Sequence, residues 1–177
     1  PLYRKSHSTH HRDVNLTIPG VDTESYYVLQ ADWARMGPFM RQVLLFNQTM
    51  AGRLLIGPIL RLWTLITKET RRVRQGDYGH LPHWALHVIA VGAIFWFVSG
   101  VCRFPWWQYC LLVAYPGLSL GLLRAFTEHR AAQDSEERTA SVESNALFGV
   151  LYLFNNLHVA HHLKPTMPWY EIPRFYR

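Results

Sequence analysis

Apolar and polar positions fall in long blocks along this chain. Residues 1–35 are polar, with a turn signal at Pro19-Gly20. Residues 38–66 are mostly apolar, but Arg41, Arg53 and Arg61 interrupt them, and Gly57-Pro58 breaks any helix running through. An arginine at the bilayer centre costs roughly 2.5–3.5 kcal/mol, so this block predicts a pair of interfacial amphipathic helices. A soluble core helix pair is the alternative. The stretch "KETRRVRQGDYGH" at 68–80 is basic and polar.

Two later stretches differ in kind. Residues 84–101 hold one titratable group, His87, and residues 106–126 hold only Arg124, each close to an end. At 1.5 Å rise they reach about 27–31 Å, enough to cross a hydrocarbon core of ~30 Å. Trp84, Trp106 and Trp107 stand at the ends, where an interfacial belt places them. The short link Cys102–Pro105 makes the two a hairpin, and Pro116-Gly117 predicts a kink in the second span. Residues 127–143 are polar, 146–154 are apolar but too short to span, and the tail "KPTMPWYEIPRFYR" is rich in Pro and aromatics. The outer ends of a hairpin emerge on one side. Of 18 Lys and Arg, only Arg103 lies in its turn, which places 1–83 and 127–177 in the cytosol.

The predicted fold is an all-α membrane protein in one domain, residues 1–177. It comprises a cytosolic segment 1–37, interfacial helices 38–66, a transmembrane hairpin 84–101 and 106–126, and a cytosolic His-rich cap 127–177. Composition agrees: 49% hydrophobic and 14% aromatic residues exclude disorder. A formal charge of +6 points to anionic lipid or an acidic protein partner, because no nucleic-acid motif accompanies it. Cys102 and Cys110 lie in no C-x-x-C and read as buried apolar residues. The chain opens at Pro1 and reads as the later part of a longer protein.

The chemistry is carried by histidine. "SHSTHHR" holds His7, His10 and His11, and "NNLHVAHHLKP" holds His158, His161 and His162. On a helix, i, i+3 and i+4 share a face, so each H-x-x-H-H aims three imidazoles into one volume. Chance predicts roughly 0.03 such patterns for a chain with this much histidine. Neutral imidazole suits iron, zinc, copper and nickel. Six imidazoles exceed the four ligands of a mononuclear zinc site, which suggests two metals. There is no H-E-x-x-H, and no cysteine stands near either triplet.

Other polar residues admit two readings. Asn155 lies three positions before His158 and shares its face, as a water- or ligand-orienting amide or as a helix cap. Glu143 and Glu128 either hydrogen-bond ligand imidazoles or are simply solvated, and Asp13 is similar. Glu143 and Asn155 are carried forward as outer-shell candidates. His80, His83 and His87 in "HLPHWALH" read as interfacial histidines at a helix start. Trp169 and Tyr170 either close over an acyl channel or anchor the Pro-rich tail. "KETRRVR" is a lipid-facing or donor-docking patch, or a solvated face.

These features together resemble the membrane fatty acid desaturase family, in particular its bacterial-type acyl-lipid members. "HSTHH", a basic amphipathic middle, a two-span hairpin, "EHRA", and "ERTASVESN…NNLHVAHHLKPTMPWYEIP" carry the likeness over nearly the whole chain. The resemblance implies an oxidoreductase with two non-haem irons. It would use O2 and electrons from a ferredoxin or a small haem protein to desaturate a lipid acyl chain. The family's second and third histidine boxes fall on His7, His10, His11 and on His158, His161, His162, and a histidine near the end of the last span falls on His129. The family's first box, H-x-x-x-H, has no counterpart upstream of His7, so the chain is expected to be a portion inactive alone. A related di-iron hydroxylase of carotenoid, alkane or sphingolipid remains open, as does a non-catalytic zinc-binding membrane protein.

Overall fold

The computed structural model describes residues 7, 8, 10, 11, 15–22 and 25–177. Asp13 lies outside them. The described residues contain helices and two isolated β-bridges but no strand. The chain divides into two compact units, one built on 42–122 and the other on 5–41 with 123–177.

Helix α1 (Gln30–Arg35) is short and closes on Arg41, whose guanidinium donates to the carbonyls of Trp33 and Ala34. Helix α2 (Pro38–Phe46) leads to α3 (Met50–Leu55), which the Thr49 side chain caps by accepting from Gly52 N–H. Helix α4 (Gly57–Arg74) starts with Pro58 in its first turn, where a missing N–H costs nothing. It continues through the basic residues 68–74, which the sequence pattern had left outside the apolar block. Three arginines in its last turn complement the helix dipole. Ile59, Leu62, Trp63 and Ile66 form an exposed stripe along α4, with Trp63 70% exposed.

In the first unit, α2 and α3 pack so closely that a Cβ on Gly52 would collide with the backbone carbonyl of Phe46. Backbone cannot yield as a flexible side chain can. Gly52→Ala is expected to cost about 1–3 kcal/mol, the range of overpacking, read as a fall in thermal midpoint in detergent. Gly117→Ala, where a Cβ meets nothing within 4 Å, is the neutral control.

Two helices are long and apolar enough to cross a membrane: α5, Leu81–Val101, and α6, Trp106–Glu128. Their most apolar windows are 0% and 6% buried inside the protein, unlike the core helix of a soluble fold. Such surfaces fit a bilayer. The hairpin is closed by Phe95 against Trp106 and Tyr109, at ring-centroid distances of 6.4 and 6.3 Å. The second span contains a π-helical turn, Cys110–Ala114, just before Pro116. Pro116 has no N–H to give the preceding turn, and a widened turn absorbs the loss. A second π-helical turn, Trp96–Val101, ends α5. Both cysteines are free, and Cys102 is exposed at the hairpin turn, not buried as its apolar character had implied.

His80 is buried, with Nε2 3.0 Å from Glu69 Oε2, and the same carboxylate oxygen accepts from Trp84 Nε1 at 2.8 Å. These contacts join α4 to the start of α5.

Candidate metal centre

The second unit contains both histidine triplets and His129. His7, His10 and His11 lie on one helical turn, closed by the His11 N–H bond to the His7 carbonyl at 3.0 Å. Helix α7 (Ala146–Leu151) is capped by the Asn145 side chain and ends with Leu153 and Phe154 at positive φ. This reversal lets the Phe154 ring cover Gly149 and stack near Trp169. The chain then enters α8 (His158–Leu163), whose buried Ala160 packs with Leu157 and with Ile172 of α9 (Ile172–Tyr176). Thus "MPWYEIP" anchors the back of the histidine helix, and Trp169 packs against Phe154.

His129 follows directly after α6. A bridge to Thr139 holds it, and the Tyr26 hydroxyl donates to its carbonyl at 2.7 Å. The loop returning to Thr139 is tied by the Arg138 guanidinium, which donates to the carbonyls of Ala132 and Gln133. A second bridge, Ser141 to Leu157, sets the start of α8 beside this loop.

All seven predicted histidines come together, in two adjoining sets. His10, His129, His158 and His162 offer one nitrogen each within 4.8 Å of one another, and His7, His11 and His161 do the same. The sets touch: the His11 and His162 ring centroids are 4.2 Å apart. In the larger set, Nε2 of His10 is 2.9 Å from that of His129, which is 3.1 Å from that of His158, itself 3.2 Å from that of His162. Nitrogens about 2.1 Å from one metal stand roughly 3.0–3.4 Å apart as neighbouring ligands, so the spacing fits.

Proton placement tests that fit independently. His10 Nδ1 is 3.0 Å from Asp22 Oδ1, His129 Nδ1 is 3.2 Å from the Arg138 carbonyl, and His158 Nδ1 is 3.3 Å from Glu128 Oε1. The last contact is not yet a straight hydrogen bond. Each of these partners is an acceptor, which assigns the proton to Nδ1 and leaves a lone pair on Nε2. Three lone pairs therefore face one another at close range, which repels unless a cation lies among them. A proton is a poor candidate. Burial, followed by the neighbouring imidazoles, pushes His158 far below the usual histidine range, His162 down to about 2 and His161 down to about 4. The donor set suits a metal ion. In the smaller set, Nε2 of His7 and His11 are 3.1 Å apart, and the buried Nε2 of His161 has no hydrogen-bond partner.

The outer-shell candidates are placed differently. Glu143 is exposed and accepts from the Tyr176 hydroxyl at 3.3 Å, and Asn155 is half-buried at the turn before α8. Its neighbour Asn156 is the buried amide, donating to the Val142 carbonyl at 2.7 Å. Among the described residues, the carboxylates beside the imidazoles are Glu128 and Asp22. Glu128 had two readings in the sequence, a partner of a ligand imidazole or a solvated side chain, and its place one residue before His129 was the signal for the first. Asp22 carried no sequence signal, because only the turn at residues 17–22 brings it to His10.

No curated protein and no solved structure matches the chain. Compared with known families, residues 1–177 match the fatty acid desaturase family along their whole length. With two apolar helices of spanning length and two histidine sets suited to metal, the chain belongs to the fatty acid desaturase family.

Proposed function

We propose that this protein is an O2-dependent desaturase that introduces a double bond into a lipid acyl chain at a pair of non-haem irons. The observation that carries this reading is the convergence of seven imidazoles in two adjoining sets, with Nε2 lone pairs turned inward. His10, His129, His158 and His162 would hold one iron, and His7, His11 and His161 would contribute to the other. An iron pair supplies the oxidising power that an unactivated CH2–CH2 requires, because such C–H bonds have no acidity for side-chain bases to exploit. The chain's own residues orient the imidazoles, and burial keeps His158, His161 and His162 neutral. They also hold His129 one residue beyond the end of α6, so that a site built on it lies at a membrane surface. The charge distribution around the hairpin favours the cytosolic face, where a ferredoxin or small haem protein would deliver electrons.

The test is product analysis. Cells expressing the full-length protein should accumulate a lipid with a new double bond, and metal analysis of the purified protein should find iron. A new hydroxyl in place of the double bond would make it a hydroxylase. Zinc without iron, together with unchanged lipids, would make it a non-catalytic metal-binding protein.

A further inference from the structure

Two carboxylates reach the four-histidine set from unrelated parts of the second unit. Asp22 and Glu128 are 6% and 5% exposed, and their partners His10 and His158 are 2% and 1% exposed. Asp22 is fixed from both sides. Its Oδ1 takes the His10 contact, and its Oδ2 accepts the Thr17 N–H at 2.8 Å. To present that N–H, Thr17 adopts φ 71°, a conformation that a β-branched residue rarely tolerates. The Thr17 carbonyl accepts from the Ser25 hydroxyl at 2.7 Å, which holds the turn. Strain of this kind persists only where surrounding contacts over-determine it. Glu128 is likewise shared: its Oε1 stands 2.7 Å from Arg124 Nε and 3.3 Å from His158 Nδ1.

We propose that Asp22 and Glu128 are the positioning carboxylates of the four-histidine set, holding the Nδ1 protons of His10 and His158 so that both Nε2 lone pairs point inward. This rests on the metal reading above. Both carboxylates also have a second, unambiguous donor, the Thr17 N–H and the Arg124 guanidinium. That second donor decides what an amide does in their place. In Asp22→Asn, the single carbonyl oxygen must turn to Thr17, because the Thr17 N–H can only donate. The amide NH2 then faces His10 Nδ1, which must become an acceptor. The His10 proton moves to Nε2, into the space where a metal would bind. Glu128→Gln acts differently: Arg124 and His158 share one oxygen, Oε1, so an amide oxygen held by the charged Arg124 still faces His158 Nδ1 and the tautomer holds. Asp22→Asn is therefore the near-isosteric exchange that reverses a tautomer with little change in volume.

The experiment uses the full-length protein in detergent, stripped of metal, with Fe(II) alone as the probe in competition with a chromogenic chelator. Asp22→Asn and Glu128→Leu, which removes the acceptor behind His158, are each expected to weaken Fe(II) binding about 10–100-fold, the usual effect of losing such a partner. In 15N-histidine spectra of metal-free Asp22→Asn, the protonated nitrogen of one ring should switch from Nδ1 to Nε2. A merely structural role would lower the metal-free thermal midpoint and leave the tautomers unchanged. Glu128→Leu guards against misfolding of the strained Asp22 turn. Wild-type affinity in either folded variant, or unchanged tautomers in folded Asp22→Asn, would overturn this proposal alone. If the wild type takes up no Fe(II), or if His162→Ala binds it equally well, the metal reading itself falls, and this proposal with it.

Discussion

His158→Ala is expected to abolish lipid product while leaving the protein inserted in the membrane. His158 is the most buried of the seven imidazoles and stands in the middle of the larger set, its Nε2 within 3.2 Å of those of both His129 and His162. Losing it removes a nitrogen from the centre of the chain of contacts, not from its rim. The drop in Fe(II) affinity should exceed the about 10–100-fold that follows loss of an outer-shell partner. Stability is expected to move the other way from an ordinary core truncation. A cavity has a cost, but in the metal-free protein the mutation also removes one of three lone pairs held against each other by acceptors behind them. His158 lies outside α5 and α6, the two helices long and apolar enough to cross a membrane. Lipid extracts and membrane fractions from cells expressing the variant are the measurement, with His83→Ala, outside both sets, as the control that keeps its product. Product at wild-type level in His158→Ala would remove the residue from the ligand set.

Most of the architecture was legible because it is written in local patterns. Spans of 84–101 and 106–126 are set by runs of apolar residues, and the structure extends them only to Leu81–Val101 and Trp106–Glu128. The triplets were legible for the same reason: i, i+3, i+4 spacing fixes a shared face before any tertiary contact forms. His129 was reached only through the family resemblance, because a single histidine after a span has no pattern of its own. What sequence reasoning missed was tertiary. Asp22 reaches His10 through a turn with Thr17 at positive φ, which no propensity favours. Glu128 and Glu143 look alike as sequence. One falls on the last turn of α6, where Arg124 and His158 enclose it, and the other lies on exposed chain beside Tyr176. The basic run 68–74 stood apart from the apolar block because its charges hide the helical periodicity that α4 has already established upstream.

Acidification is expected to destabilise the metal-free protein from about pH 6.5 downward, and the direction follows from which state binds the proton. In the unfolded chain a histidine titrates near 6.5. In the folded protein burial holds His161 down to about 4 and His162 down to about 2, with His158 further still. Above pH 6.5 these rings are neutral in both states and stability is indifferent to pH. Below it the unfolded chain gains protons that the folded protein refuses, so stability falls as pH falls, until about pH 4 for His161 and about pH 2 for His162. At pH 5, unfolding should take up about three protons from these rings. Thermal midpoints of metal-stripped protein in detergent, taken from pH 7 to pH 5, measure this, and His162→Gln should flatten the slope by about one proton. The same neutrality makes a second result diagnostic. A loose surface cluster of histidines loses metal steeply below pH 6.5, because protons compete for each nitrogen. Here the nitrogens of His158, His161 and His162 stay open to metal down to about pH 4, so the rise in midpoint on adding Fe(II) should persist at pH 5. A rise present at pH 7 and absent at pH 5 would mean that the imidazoles meet water, not one another.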